Sequence, residues 1–216
     1  MRVLIACEYS GRVRDAFRAR GHDAMSCDLL PSETPGPHYQ GDVRDILTDD
    51  WDLLIAHPDC TYLTCSAEWA YKDGPYHQIL KPETLAGAAR REAREQALDF
   101  VRLLMDAPIH KKAIENPRGV ISTRIRPASQ YIQPFEYGHN ASKITGLWLE
   151  NLPNLIPTNR IKGRLVEWPR GSGKIVERWA NQTDSGQNKL TPSADRWKER
   201  ARTYEGWANA MASQWG

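Results

Sequence analysis

The sequence predicts an α/β protein with a Rossmann-like, doubly wound and mostly parallel sheet, carrying a small basic β-hairpin insertion. Three observations lead there. Leu53, Leu54, Ile55 and Ala56 form an apolar run ended by His57-Pro58-Asp59, which suits an interior strand of a sheet covered on both faces. Residues 2–28 read as strand, glycine-containing turn, helix and second strand, the general plan of nucleotide-type cofactor sites. Residues 112–115 form a further strand, reached only after the clearest helical pattern in the chain.

Composition sets outer bounds. The 216 residues fit one domain, or a domain with a small appendage. Twenty-nine basic against 27 acidic residues leave a net charge of +2, so any basic surface must be local. Four cysteines (Cys7, Cys27, Cys60, Cys65) without a Cys-x-x-Cys pair argue against structural zinc and against a disulfide scaffold. The apolar start is too short for a secretory signal and no later run could span a bilayer, so a soluble cytoplasmic protein is expected.

In chain order, residues 2–7 are the first strand. Val13, Ala16 and Phe17 recur at helical spacing after Gly11, and Gly21 closes that helix. Residues 24–27 form a second strand ending at Asp28, an acid placed to accept hydrogen bonds from ribose hydroxyls. Residues 30–38 read as a loop rich in proline and polar groups. Asp42 is either a third cofactor contact or the N-cap of a short helix at 43–47. Cys60 then follows the strand-ending turn. A thiol there is reachable by substrate on a rigid base, although most cysteines are simply small buried residues.

Residues 64–82 mix aromatic and polar groups without a clean period, as expected of a loop over the Cys60 turn. A helix is expected over 84–106, with Leu85, Ala89, Ala93, Ala97, Leu98, Val101, Leu104 and Met105 inward. Arg90, Arg91, Glu92, Arg94, Glu95 and Asp99 would form its solvated face. Glu115-Asn116-Pro117 ends the next strand, and another strand covers 145–149. Between 160 and 178, six basic residues face only Glu167 and Glu177. Residues flanking Pro169-Arg170-Gly171-Ser172-Gly173 read as a hairpin. Arg and Lys interleaved with Trp168 and Trp179 would suit phosphate contacts and base stacking, and an ordinary surface hairpin is the alternative. Residues 193–215 form an amphipathic helix or helix pair broken near Tyr204-Glu205-Gly206.

Taken in order, these pieces resemble the cytosine-C5 DNA methyltransferase family, in particular its short, phage-like members. Gly11 with the following apolar residues is similar to the first cofactor motif. His57-Pro58-Asp59-Cys60 resembles the Pro-Pro-Cys nucleophile loop, and Glu115-Asn116-Pro117 the Glu-Asn-Val/Pro motif that holds the target base. The closing stretch with Asn209 resembles the motif that returns to the cofactor pocket. The resemblance implies a methyltransferase-type core at 1–153 plus 190–216, with 154–189 as a reduced target-recognition region. It implies S-adenosylmethionine as cofactor, held by Cys7, Glu8, Tyr9 and Gly11 in the first turn. Asp28, Leu29, Asp42 and Val43 would add contacts from the next strands, with His57 and Asn209 completing the set. Cys60 would be the nucleophile and Glu115 its partner on the base, with Pro58, Asn116 and Pro117 around them.

Double-stranded DNA is the implied partner of a cytoplasmic monomer or homodimer, in a bacterial or phage-infected cell. Arg164, Arg170 and Lys174 would grip its backbone. This sequence also departs from the family. One glycine of Phe-x-Gly-x-Gly-Gly remains. Asp59 replaces the second proline and opposes thiolate formation, with His57 the candidate compensating cation. The Gln-x-Arg-x-Arg motif is absent, leaving Lys143, or Arg124 and Arg126, as substitutes. The alternatives are a catalytically silent nucleic-acid-binding protein, a relative acting on RNA or transferring a modified group, and a cysteine hydrolase pairing Cys60 with His57 or His77.

Overall fold

The computed structural model describes residues 1–80, 82–190 and 196–216. The expected helical stretch at 193–215 therefore begins outside the described residues. A seven-stranded sheet forms the centre: β1 (Arg2–Ala6), β2 (Asp23–Asp28), β3 (His38–Gln40), β4 (Leu53–Ala56), β5 (Lys111–Pro117), β6 (Gln130–Ile132) and β7 (Thr145–Glu150). Their spatial order is β3-β2-β1-β4-β5-β7-β6. The first five run parallel, and β7 lies antiparallel between β5 and β6. The α/β class and mostly parallel sheet agree with expectation and are compatible with a Rossmann-like fold.

Alternation explains the two faces. Val3, Ile5, Leu53, Ile55 and Ala113 point into one core, and Leu4, Ala6, Leu54, Ala56 and Ile114 into the other. Because β1 and β4 are buried on both sides, neither shows a polar-apolar alternation in sequence. The first core is closed by α1 (Arg12–Arg18) and α5 (Glu205–Gln214), whose Trp207 and Met211, with the C-cap Trp215, recur at one face. The second is closed by α2 (Gly87–Met105) through Leu98, Val101 and Leu104. Between these lie the short α3 (Ile121–Arg124) and α4 (Arg196–Ala201).

Two expectations fail on α2. Its arginines are not all solvated, because Arg90 and Arg94 are buried, while Ala89 is exposed and Leu85, also exposed, lies before the helix, which starts at Gly87 and not at 84. The inward stripe runs Gly87, Arg90, Arg94, Leu98, Val101, Leu104, so one helical face changes from cationic to apolar along its length. The hairpin is real, β8 (Arg164–Glu167) pairing antiparallel with β9 (Ile175–Arg178) as a separate sheet. Its anchor is Trp179, stacked on Phe135 at 3.8 Å and buried there, so Trp179 is unavailable for stacking on a base.

Candidate active site

The chain runs outward from β1 to β2 and β3, then returns to β4 on the other side of β1. Such reversals open a crevice beyond the carboxyl ends of the strands. Here that crevice is a cavity of about 780 Å³, walled by the ends of β1, β2, β4 and β5. Cys60 and Glu115 both line it, as do Pro58, Asn116 and Pro117.

The Cys60 loop is held from two sides. Asp59 accepts from the Thr61 N–H at 3.0 Å, and the Cys60 carbonyl accepts from the amides of Leu63 and Thr64, so the thiol sits on a closed turn. From β5, the Asn116 amide donates to the Pro58 carbonyl at 2.7 Å, and Val120 N–H donates to the Leu63 carbonyl. Gly119 permits this approach: a Cβ there would stand 2.0 Å from the Leu63 oxygen. From α2, Arg94 donates to the carbonyls of Tyr62 and Thr64, pairs with Glu68 and lies 3.4 Å from the Tyr71 ring centroid. Arg90 covers the same ring at 4.6 Å. Cation–π and carbonyl contacts thus account for the buried cationic half of α2.

Glu115 and His57 meet because of sheet register. Ala56 pairs with Ile114 across β4 and β5, so the next residue on each strand is brought alongside its counterpart. His57 Nδ1 lies 2.8 Å from Glu115 Oε2, with both side chains almost wholly buried. Burial opposes ionisation of Glu115, but nearby Lys143 and the hydrogen bond from His57 outweigh it and hold the pKa below the usual carboxylate range. An ionised carboxylate only accepts, so the proton of this bond belongs to Nδ1. Among the described residues, three buried polar atoms around this pair have no partner: His57 Nε2, Glu115 Oε1 and Asn116 Oδ1. Natural proteins rarely leave such atoms unmatched, and a cluster of them beside a cavity marks a place for a polar ligand.

His57 is therefore engaged with Glu115 and is not the cation facing the thiol. Burial pushes the Cys60 thiol upward first of all; Lys143 and then Arg200 pull it down, while Asp59 and Glu115 push it further up. The net direction is upward, so the resting thiol is protonated. Its thiolate fraction is small near neutral pH and grows about tenfold per pH unit from about pH 7 to about pH 8. Alkylation of Cys60 by iodoacetamide should follow that slope, read by peptide mass in a Cys65→Ser background because Cys65 is exposed and Cys60 only partly so. A rate already flat near neutral pH would contradict this electrostatic balance.

At the other end of the cavity, Cys7, Glu8, Tyr9, Asp28, Leu29, Asp42 and Val43 line the wall. Glu8 has a second task. Its carboxylate accepts from the amides of Val13 and Arg14 at the start of α1, at 2.7 and 3.3 Å. A side-chain carboxylate thus occupies the place where dinucleotide folds put a phosphate. Asp28 accepts from the Leu30 amide, and burial raises its pKa despite that bond. Asp42 is both wall and cap: it accepts from the Arg44 amide at the start of a 3-10 turn, Val43–Asp45, shorter than the expected helix.

Several expected contacts do not reach the cavity. Gly11 is absent from its lining; with φ +72° it caps α1, and a Cβ there would meet the Thr34 hydroxyl at 2.2 Å. Asn209 lies on the exposed side of α5 beside Arg20. The C-terminal segment does return to the cavity, but through Arg200, Ala201 and Thr203. Arg12 donates to the Thr203 carbonyl, and Arg202 pairs with Glu33, tying that segment over the first turn. No sequence signal marked Arg200. Arg124 pairs with Glu95, Arg126 donates to the Leu149 carbonyl, and Arg164 pairs with Asp184. Arg170 and Lys174 are exposed in the hairpin, away from the cavity wall. Of the cations expected around the substrate, Lys143 alone lines the cavity.

Among the described residues no cluster of three or more His, Cys, Asp or Glu could hold a metal ion, and no helix is long and apolar enough to cross a membrane. Compared with protein-family models and with curated proteins, the chain matches none.

Proposed function

We propose that this protein is an S-adenosylmethionine-dependent methyltransferase acting on C5 of cytosine in DNA, with Cys60 as nucleophile. The observation that carries the reading is one cavity holding the Cys60 thiol and, beside it, a buried carboxylate, imidazole and amide with unmatched polar atoms. Cytosine C5 is a poor nucleophile until the ring's aromaticity is broken. A thiolate adding at C6 moves electron density onto C5 and the N3 side of the ring; after transfer, loss of the C5 proton and of the thiol restores the ring.

Glu115 and Asn116 present acceptors, Oε1 and Oδ1, where an exocyclic amine supplies donors. A thymine or uracil would bring its O4 acceptor against them and leave buried groups unpaired, so the pair favours cytosine. Lys143, which acts on both Cys60 and Glu115, lies where negative charge accumulates on thiolate and ring. A stacked base cannot present C6 to a thiol on a cavity wall, so the target must leave the helix stack.

The cofactor end fits a nucleoside without phosphates. The start of α1 is closed by Glu8, and Asp28 ends β2 at the wall, where it can accept from ribose hydroxyls. Asp42 and Val43 would border the adenine. When bound there, S-adenosylmethionine supplies an electrophilic methyl group. The sheet order, with its crevice beside β1 and β4, is consistent with the methyltransferase type of Rossmann-like fold.

Incubation with cofactor and DNA containing 5-fluorocytosine tests the reading. Fluorine cannot leave as a proton does, so a working enzyme should be trapped as a covalent complex whose linked peptide contains Cys60. Methylated product without any adduct, or an adduct at another cysteine, would remove Cys60 from the mechanism.

A further inference from the structure

A second cavity, of about 590 Å³, opens beside the first. Thr64, Ser66, Pro117, Lys143 and Arg200 belong to both walls, so the two form one trough past the Cys60 loop. Its ends differ in charge. The cofactor end carries Glu8, Asp28 and Asp42 against Arg44, which pairs with Asp42 and leaves Glu8 and Asp28 in excess. The second cavity carries Arg118, Lys143, Arg200 and Arg202 against Glu199 among the described side chains. Arg202 is occupied by Glu33, and the Lys143 ammonium donates to the Arg200 carbonyl. The guanidinium groups of Arg118 and Arg200 have no hydrogen-bond or ion-pair partner among the described residues.

We propose that Arg118 and Arg200 form a phosphate subsite for the nucleotide that carries the reacting base. This rests on the reading of Cys60 and Glu115 as the base pocket and adds what the base arrives attached to. A base held between Cys60 and Glu115 must send its sugar-phosphate out of the trough. The acidic end repels an anion, whereas the second cavity offers two unpaired cations, one on the loop after β5 and one on α4. The phosphate grip thus lies at the trough and not on the β8–β9 hairpin. The substrate enters as a nucleotide within a strand.

Binding, not transfer, tests this. A fluorescein-labelled, cytosine-containing single-stranded oligodeoxynucleotide is titrated with the full chain at several salt concentrations, followed by anisotropy. Arg118→Ala/Arg200→Ala should weaken binding on the order of tenfold at low salt. It should also flatten the log–log salt dependence by about 1.4, for two lost phosphate contacts at about 0.7 each. Arg118→Lys/Arg200→Lys should keep most of that slope, which separates charge from misfolding, and Arg170→Ala/Lys174→Ala should bind as the unaltered chain does.

Competition separates the sources of the phosphate. Displacement by deoxycytidine monophosphate but not by deoxycytidine supports the subsite and shows that one phosphate suffices. Displacement by unlabelled strand alone supports it as a polymer site. The proposal is overturned if the arginine pair binds normally, if the hairpin pair carries the loss, if nucleoside and nucleotide compete equally, or if the unaltered chain binds no strand. Strand binding without any transfer would leave the subsite standing and remove the methyltransferase reading.

Discussion

Cys60→Ser is expected to lower transfer by at least about 10³-fold, the scale seen when a covalent nucleophile is removed. The trapped adduct with 5-fluorocytosine DNA should disappear with it. A serine hydroxyl holds its proton far more tightly than a thiol and adds poorly to an unactivated ring carbon, so the geometry survives while the first bond-forming step does not. The fold should be indifferent. The turn is closed by the Cys60 carbonyl and by Asp59, and among the described residues no hydrogen bond to the Cys60 sulfur holds the loop. A change at such a position is expected to cost under about 1 kcal/mol. Thermal unfolding and strand binding measured beside the transfer assay would show this. An active serine variant, or an inactive one that has also lost its melting transition, would each contradict the expectation.

Much of this arrangement was legible in the sequence because it depends on local signals. The run Leu53–Ala56 is apolar at every position since the strand is buried on both faces, and it matches β4 residue for residue. The turn that follows delivers Cys60 to the crevice, and the Glu115-Asn116-Pro117 strand end delivers Glu115 to the same cavity. What stayed hidden depends on contacts distant in sequence. β3 and β6 have three residues each and sit at the two edges of the sheet, too short for any periodicity. Arg90 and Arg94 read as surface charges because the rings and carbonyls that cover them come from residues 62–71. His57, three residues from Cys60, reads as a cation for the thiol. Only the β4–β5 register reveals that its neighbour is a carboxylate 58 positions away. Arg200 and Thr203, not Asn209, form the returning wall because the stretch before α5 crosses the first turn, a path that no spacing encodes.

Glu115→Gln should move two properties of the same pocket in opposite directions. Transfer should fall by about 10²- to 10⁴-fold, the range for losing a positioned acid–base group. The amide is neutral and can place an N–H where the carboxylate offered only acceptors, facing the cytosine amine donor to donor. His57 would lose the carboxylate that accepts its Nδ1 proton at 2.8 Å, so the imidazole would no longer be fixed in one tautomer. Cys60, by contrast, should become more reactive. Glu115 is one of the charges that push the thiol pKa up, and its removal leaves Lys143 and Arg200 less opposed. The thiolate fraction at a given pH then rises, and iodoacetamide alkylation of Cys60 should quicken while methyl transfer collapses. Gln keeps the size of the side chain, so this divergence separates a chemical role from a packing one. Damage to the pocket would slow or derange both reactions together. His57→Asn would extend the comparison. It retains a polar side chain near Glu115 but not the imidazole, and Glu115 would lose one of the two groups holding its pKa down. The acid limb of the transfer pH profile should then shift upward, because a carboxyl that protonates more readily stops accepting from the base at higher pH. An unchanged profile in His57→Asn would mean that Lys143 alone keeps Glu115 ionised.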